Sequence, residues 1–148
     1  WVLLGSSGHR QRPAAPVVDA YTKCTPHNHK FNTQFKTFAN TDFGPTMYSP
    51  HRAVFGASPD AYMVNERFQR IQRGRNKNST HERAAVYHYV IKSLEDFDGK
   101  MARGGGAGVT RPKYYFSLMD RQAKASCSGA QDTRARFCGA AGGGRGLL

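Results

Sequence analysis

His88, Lys92 and Ser93 stand close together on a stretch whose pattern can deliver three kinds of chemistry to one place. A neutral imidazole suits Mn²⁺ or a related ion, with a carboxylate pair from elsewhere completing the shell. A lysine can neutralise a diphosphate. Ser93 can cap a helix whose first amides form a positive end suited to phosphate. Each residue also has a plainer reading: His88 as a hydrogen-bonded core histidine, Lys92 as a solvated cation, Ser93 as a cap alone. His9 and His51 lie in polar loops of the kind that line binding sites, although a histidine in such a loop is more often simply exposed. A general base would be an Asp or Glu close to the hydroxyl it activates. Asp19, Asp42 and Glu66 are available, and the sequence does not choose among them. A serine-hydrolase reading of Ser6, Ser7 and His9 fails, because nothing resembles Gly-x-Ser-x-Gly and residues so close in sequence rarely form a triad.

The elements that would hold His88 and Lys92 follow from the pattern around them. Ala84 to Ile91 is apolar or aromatic except at His88, which predicts a strand buried on both faces. Val86, His88 and Val90 share one face by period two. Ser93 with Asp96 three residues on resembles a capping box, and Leu94, Phe97 and Met101 give the apolar stripe of a helix. Lys100 and Arg103 fall near its C-terminus, and Gly104 to Gly106 stop it. Asp96-Phe-Asp98 mimics a metal-binding Asp-x-Asp, but on a helix such residues point about 200° apart and cannot chelate one ion together.

The remaining composition sets bounds. The 148 residues suit one domain with one modest core, and no apolar run of about 18 residues offers a membrane span. A net charge of +12 favours anionic partners. Arg67 to Lys77 gathers cations at helical spacing, which reads first as a solvated helix face. No RNP, zinc-knuckle or helix-turn-helix pattern accompanies it, so nucleic acid is the lesser alternative, as a basic nucleic-acid or polyanion-binding module. Three cysteines without a Cys-x-x-Cys pair argue against zinc, and Cys127 with Cys138 could close a short loop in an oxidising lumen. Trp1 to Leu4, Phe35 to Ala39 and Ala53 to Gly56 read as strands, and Pro112 to Met119 as a last apolar element. From residue 121 to 148 the chain is small and polar, and the expectation is a disordered tail. Asn78-Ser79-Thr80 matches a glycosylation sequon.

Several words of the chain resemble glycosyltransferase family 92. They are Trp1-Val-Leu-Leu-Gly-Ser-Ser-Gly-His9, Arg12-Pro13, Tyr21-Thr-Lys-Cys24, Phe35-Lys-Thr-Phe38, Ser49-Pro-His51 and the segment from Tyr87 to Gly104. The resemblance covers roughly residues 1–120 and implies the C-terminal portion of a glycosyltransferase A-type α/β fold. It implies metal-dependent transfer of a sugar, of the hexosyl class, from a nucleotide-diphosphate donor to a glycan acceptor. In such enzymes a histidine late in the domain ligates the metal, here His88, and a following basic residue touches the diphosphate, here Lys92 with Ser93. His9 and His51 would lie on the acceptor side. The Asp-x-Asp word expected of the fold would precede Trp1, so this fragment alone would be inactive. The resemblance further implies a Golgi or other secretory-lumen location, with membrane association through an upstream anchor.

Overall fold

The computed structural model describes residues 1–56, 58, 60–71, 76, 80–104 and 110–138. The protein is mixed α/β with a small sheet, and it divides into two compact units. The first comprises Trp1–Leu3 with His27–His88; the second comprises Leu4–Pro26 with the described part of Tyr89–Leu148.

The second unit holds the larger apolar core. Strand β1 (Val2–Leu4) ends in it, and Leu4 lies opposite Cys24 of β2 (Lys23–Cys24) in an antiparallel pair. β6 (Ala125–Ser126) adds to the other edge of β2, again antiparallel. Helix α2 (Leu94–Arg103) begins as its sequence predicts: the Ser93 hydroxyl accepts from the Asp96 N–H, and Gly104 at φ 83° ends it. Lys92 adopts φ 56°, a left-handed conformation that turns the chain sharply into the cap. Helix α3 (Lys113–Gln122) buries Phe116 and Met119, and the Phe116 ring lies 5.5 Å from that of Phe97 in α2. Burying Phe97 contributes roughly 2–3 kcal/mol. Leu4, Tyr21, Ile91, Phe97 and Met119 are all but sealed from solvent. Gly5 is required where β1 leaves the core, because a Cβ there would sit 2.5 Å from that of Ala123.

The Gly5-Ser6-Ser7-Gly8 loop is tied down by its two serines. The Ser6 N–H and hydroxyl both donate to Asp120 of α3, at 2.8 and 2.6 Å, and the Ser7 hydroxyl accepts from the Thr22 and Lys23 amides. These serines therefore hold the loop to α3 and to the start of β2. The short helix α1 (Val17–Ala20) and α4 (Gly129–Cys138) are joined by an ion pair between Asp19 and Arg134. Residues 121–138, expected to be disordered, thus form β6 and α4; 139–148 lie outside the described residues. The cause is covalent: Cys127 bonds to buried Cys24, and its N–H donates to the Thr22 carbonyl. The alternative pairing of Cys127 with Cys138 is not formed, and Cys138 is exposed and free.

The first unit has little apolar core. Val2, Leu3 and Ala53 are buried with Asn32, Asn65 and Asn76. Asparagine side chains organise its turns instead. Asn32 accepts from the Leu3 N–H and donates to the His27 carbonyl, while Asn65 accepts from the Arg67 and Gln69 amides. β3 (Thr46–Ser49) and β4 (Arg52–Val54) form an antiparallel hairpin, and β5 (Tyr87–Tyr89) borders β1, with the Val2 N–H donating to Val86. Ala84 to Ile91 is therefore strand only in its middle. Two expectations fail here. Phe35 to Ala39 is not a strand: it joins no ladder among the described residues, the Thr37 N–H donates to the Pro50 carbonyl in a loop contact, and Phe38 is 89% exposed. Arg67 to Ile71 is not helical, because the Asn65 turn sets Phe68 at φ 62° and pairs Val64 with Arg70. Residues 72–75 and 77 of that basic cluster, residues 78 and 79 of the sequon, and Gly105 and Gly106 lie outside the described residues. No helix among the described residues is long and apolar enough to cross a membrane.

Candidate functional site

A cavity of about 760 Å³ opens within the first unit. Aromatic rings of Trp1, Phe35, Phe38, Phe43, Phe55 and Tyr62 contribute to its wall. Gln34, Thr37, Asn40, Glu66 and Asn76 supply polar groups around the same space. The size and the mixture of flat apolar faces with a few convergent polar groups suit a small ring-shaped ligand. Two polar atoms of lining residues, Trp1 Nε1 and Thr37 Oγ1, are enclosed without a protein hydrogen-bond partner among the described residues.

Glu66 is held firmly at this cavity. Its Oε1 accepts from the Thr80 N–H at 3.0 Å and the Thr80 hydroxyl at 2.5 Å, and its Oε2 from Asn76 Nδ2 at 3.3 Å. Partial burial pushes its pKa up, but the hydrogen bonds from Thr80 outweigh this and hold it below the usual carboxylate value. Glu66 is therefore ionised at neutral pH. Of the three carboxylates left open by the sequence, it is the one that lines the cavity; Asp19 pairs with Arg134, and Asp42 sits in an exposed 3₁₀ turn. His81 also lines the cavity, with its Nδ1 3.0 Å from that of His27. Burial, together with neighbouring positive charge that includes His27, lowers its pKa.

The histidines singled out by sequence take up distinct places. His88 and His51 both pack edge-on against Trp1, at ring-centroid distances of 4.2 and 5.5 Å. His51 Nδ1 also donates to the Phe35 carbonyl, so it braces two cavity-wall residues from behind. Neither His51 nor His88 lines the cavity itself. His9 belongs to the second unit, where its Nε2 donates to the Ala20 carbonyl at 3.0 Å. Among the described residues no three side chains of His, Cys, Asp or Glu gather as a metal site.

Lys92 and Ser93 lie in the second unit. The helix end assigned to phosphate is committed to the protein's own acceptors. Ser93 N–H donates to Tyr21 Oη, Leu94 N–H to the His9 carbonyl, Glu95 N–H to the Arg10 carbonyl, and Asp96 N–H to Ser93 Oγ. Ser93 is fully buried. Ser93 and the following amides, expected to meet a diphosphate, thus bond acceptors of the chain itself, and Lys92 beside them is half-buried. Asp96 is the hub: Arg12 Nε donates to it at 2.7 Å, and Tyr21 Oη and Ser93 Oγ at 3.1 and 3.0 Å. Desolvation raises the Asp96 pKa, but the bonds from Ser93, Arg12 and Tyr21 lower it further, so the group lies below its usual value. Asp98, the other half of the Asp-x-Asp mimic, pairs instead with Lys113. Asp96→Asn should destabilise the second unit by on the order of 1–2 kcal/mol, measured by urea unfolding at neutral pH. The loss should vanish in acid. A depressed carboxylate pKa contributes stability above its unfolded value of about 4, and that contribution disappears as pH falls through the folded value.

Comparison with protein-family models, curated proteins and solved structures found no match.

Proposed function

We propose that this chain is part of a glycosyltransferase of the A-type fold, moving a hexosyl group from a nucleotide-diphosphate donor to a glycan acceptor, and that the first-unit cavity holds a sugar ring. The observation that carries this reading is the cavity wall. Indole and phenyl faces can stack on the C–H faces of a pyranose, and Gln34, Asn40 and Asn76 offer polar groups to its oxygens. Ionised Glu66 accepts from a sugar hydroxyl. Its depressed pKa makes it a weaker proton acceptor than an ordinary carboxylate, so its role is to orient the acceptor hydroxyl. The ordered words resembling family 92 supply the reaction class. The Cys24–Cys127 disulfide fits the oxidising lumen expected for such an enzyme. The experiment is a transfer assay on the full-length protein with nucleotide-diphosphate hexoses and oligosaccharide acceptors.

A further inference from the structure

Beside the cavity the first unit carries a second, shallower cleft of about 410 Å³. Phe55, Ala61, Tyr62 and Met63 line both, so one strip of chain forms the shared wall. The cleft is basic: Arg52, from β4, and Arg70, from the bridge opposite Val64, both line it, and no carboxylate among the described residues does. Neither arginine has an ion-pair partner among the described residues, in contrast to Arg67, which is paired with Glu82 at 2.9 Å. Both are exposed. Each instead lies over an aromatic ring, Arg70 4.8 Å from the centroid of Tyr62 and Arg52 5.4 Å from that of Tyr48. Stacking of this kind fixes the guanidinium plane while leaving its N–H edge open for a planar or tetrahedral anion.

We propose that this cleft recognises an anionic group on the saccharide whose ring occupies the neighbouring cavity, which makes the acceptor an acidic glycan. The inference rests on the sugar-binding reading above and adds the class of acceptor. Two features favour a saccharide over a nucleic acid. The cleft adjoins a cavity bearing ionised Glu66, which repels a phosphodiester backbone but accepts from sugar hydroxyls. The two free guanidiniums also match one or two charges rather than a continuous chain of them.

The test is calorimetric titration of the full-length protein with maltotetraose bearing a single terminal glucuronate, neutral maltotetraose, uridine diphosphate and a short oligouridylate. The glucuronate-bearing sugar should bind roughly tenfold or more tighter than maltotetraose at low salt, with the difference shrinking as salt rises. Arg52→Gln with Arg70→Gln should remove that preference and leave maltotetraose affinity and the melting temperature unchanged, since both residues are exposed. Equal affinity for the acidic and neutral sugars, or a preference that survives the double substitution, would overturn the proposal. So would a double variant whose main loss is of uridine diphosphate or oligouridylate, because the cleft would then serve the donor phosphates or a nucleic acid. An intact acidic preference without sugar transfer would leave this inference standing and remove the transferase reading.

Discussion

Reducing the Cys24–Cys127 disulfide is expected to lower the stability of the second unit by about 3 kcal/mol. The two cysteines are separated by 103 residues in sequence, so the bond closes a long loop and removes many conformations from the unfolded chain. It also joins the two strands β2 and β6, which are only two residues each. Strands this short have few ladder bonds, and the covalent link holds residues 125–138 near β2 when those bonds fluctuate. Cys24 is wholly buried, so a thiol left there gains no solvent contact to offset the loss. Denaturant unfolding with and without reductant, in a Cys138→Ser background that prevents exchange, measures the difference. Identical midpoints would show that the bond does not constrain this fold. Proteolysis under reducing conditions should begin in α4, which has no buried residue.

Glu66→Ala is expected to weaken oligosaccharide binding on the order of 100-fold, since a charged hydrogen bond to the ligand is lost together with the order of the wall. The Thr80 hydroxyl and amide and the Asn76 amide would lose their shared acceptor, and the polypeptide on that side of the cavity would relax. Trp1 is the only tryptophan of the chain and lines the same cavity, so the change in its emission on titration with an oligosaccharide reports occupancy. The pH dependence separates Glu66 from its neighbour. His81, with a lowered pKa, favours the folded state fully above the unfolded histidine value of about 6.5, and this contribution declines as pH falls toward its folded value. Glu66 acts lower. Its contribution is complete above about pH 4 and is lost only as pH falls through its depressed value. The first unit should therefore weaken in two stages on acidification; Glu66→Ala should abolish the second and, because the Glu66 charge raises the His81 pKa, move the end of the first to lower pH. Unchanged sugar affinity in Glu66→Ala would remove this residue from the site.

What the sequence disclosed was local. The Ser93 cap, the α2 stripe and the Gly104 stop depend on residues within a turn of one another, and each appears at its expected position. The helix face that Phe116 and Met119 bury was likewise visible as an apolar element. Phe35 to Ala39 misled because alternation alone does not provide a strand partner, and here the aromatic rings serve a cavity instead. Arg67, Arg70 and Arg73 share a helical spacing, yet Asn65 captures the Arg67 and Gln69 amides and takes the chain into a turn. Cys127 gave no local hint of Cys24, since that pairing depends on distant strands meeting. Ser93 looked available to phosphate because a cap motif does not reveal what already occupies the adjoining amides; Tyr21, His9 and Arg10 do so from the other end of the chain. Glu66 was named among three carboxylates, but only the packing of Trp1, Thr80 and Asn76 singles it out.

Sugar transfer is read out by mass spectrometry of the acceptor. Full-length protein would be incubated with nucleotide-diphosphate hexoses and an oligosaccharide, and the acceptor mass followed with time. The expected result is an increment of one hexosyl unit with at least one donor, and slower gain in Glu66→Ala than in the wild type. An acceptor mass that stays constant with every donor, while the same oligosaccharide still binds the protein, would contradict it.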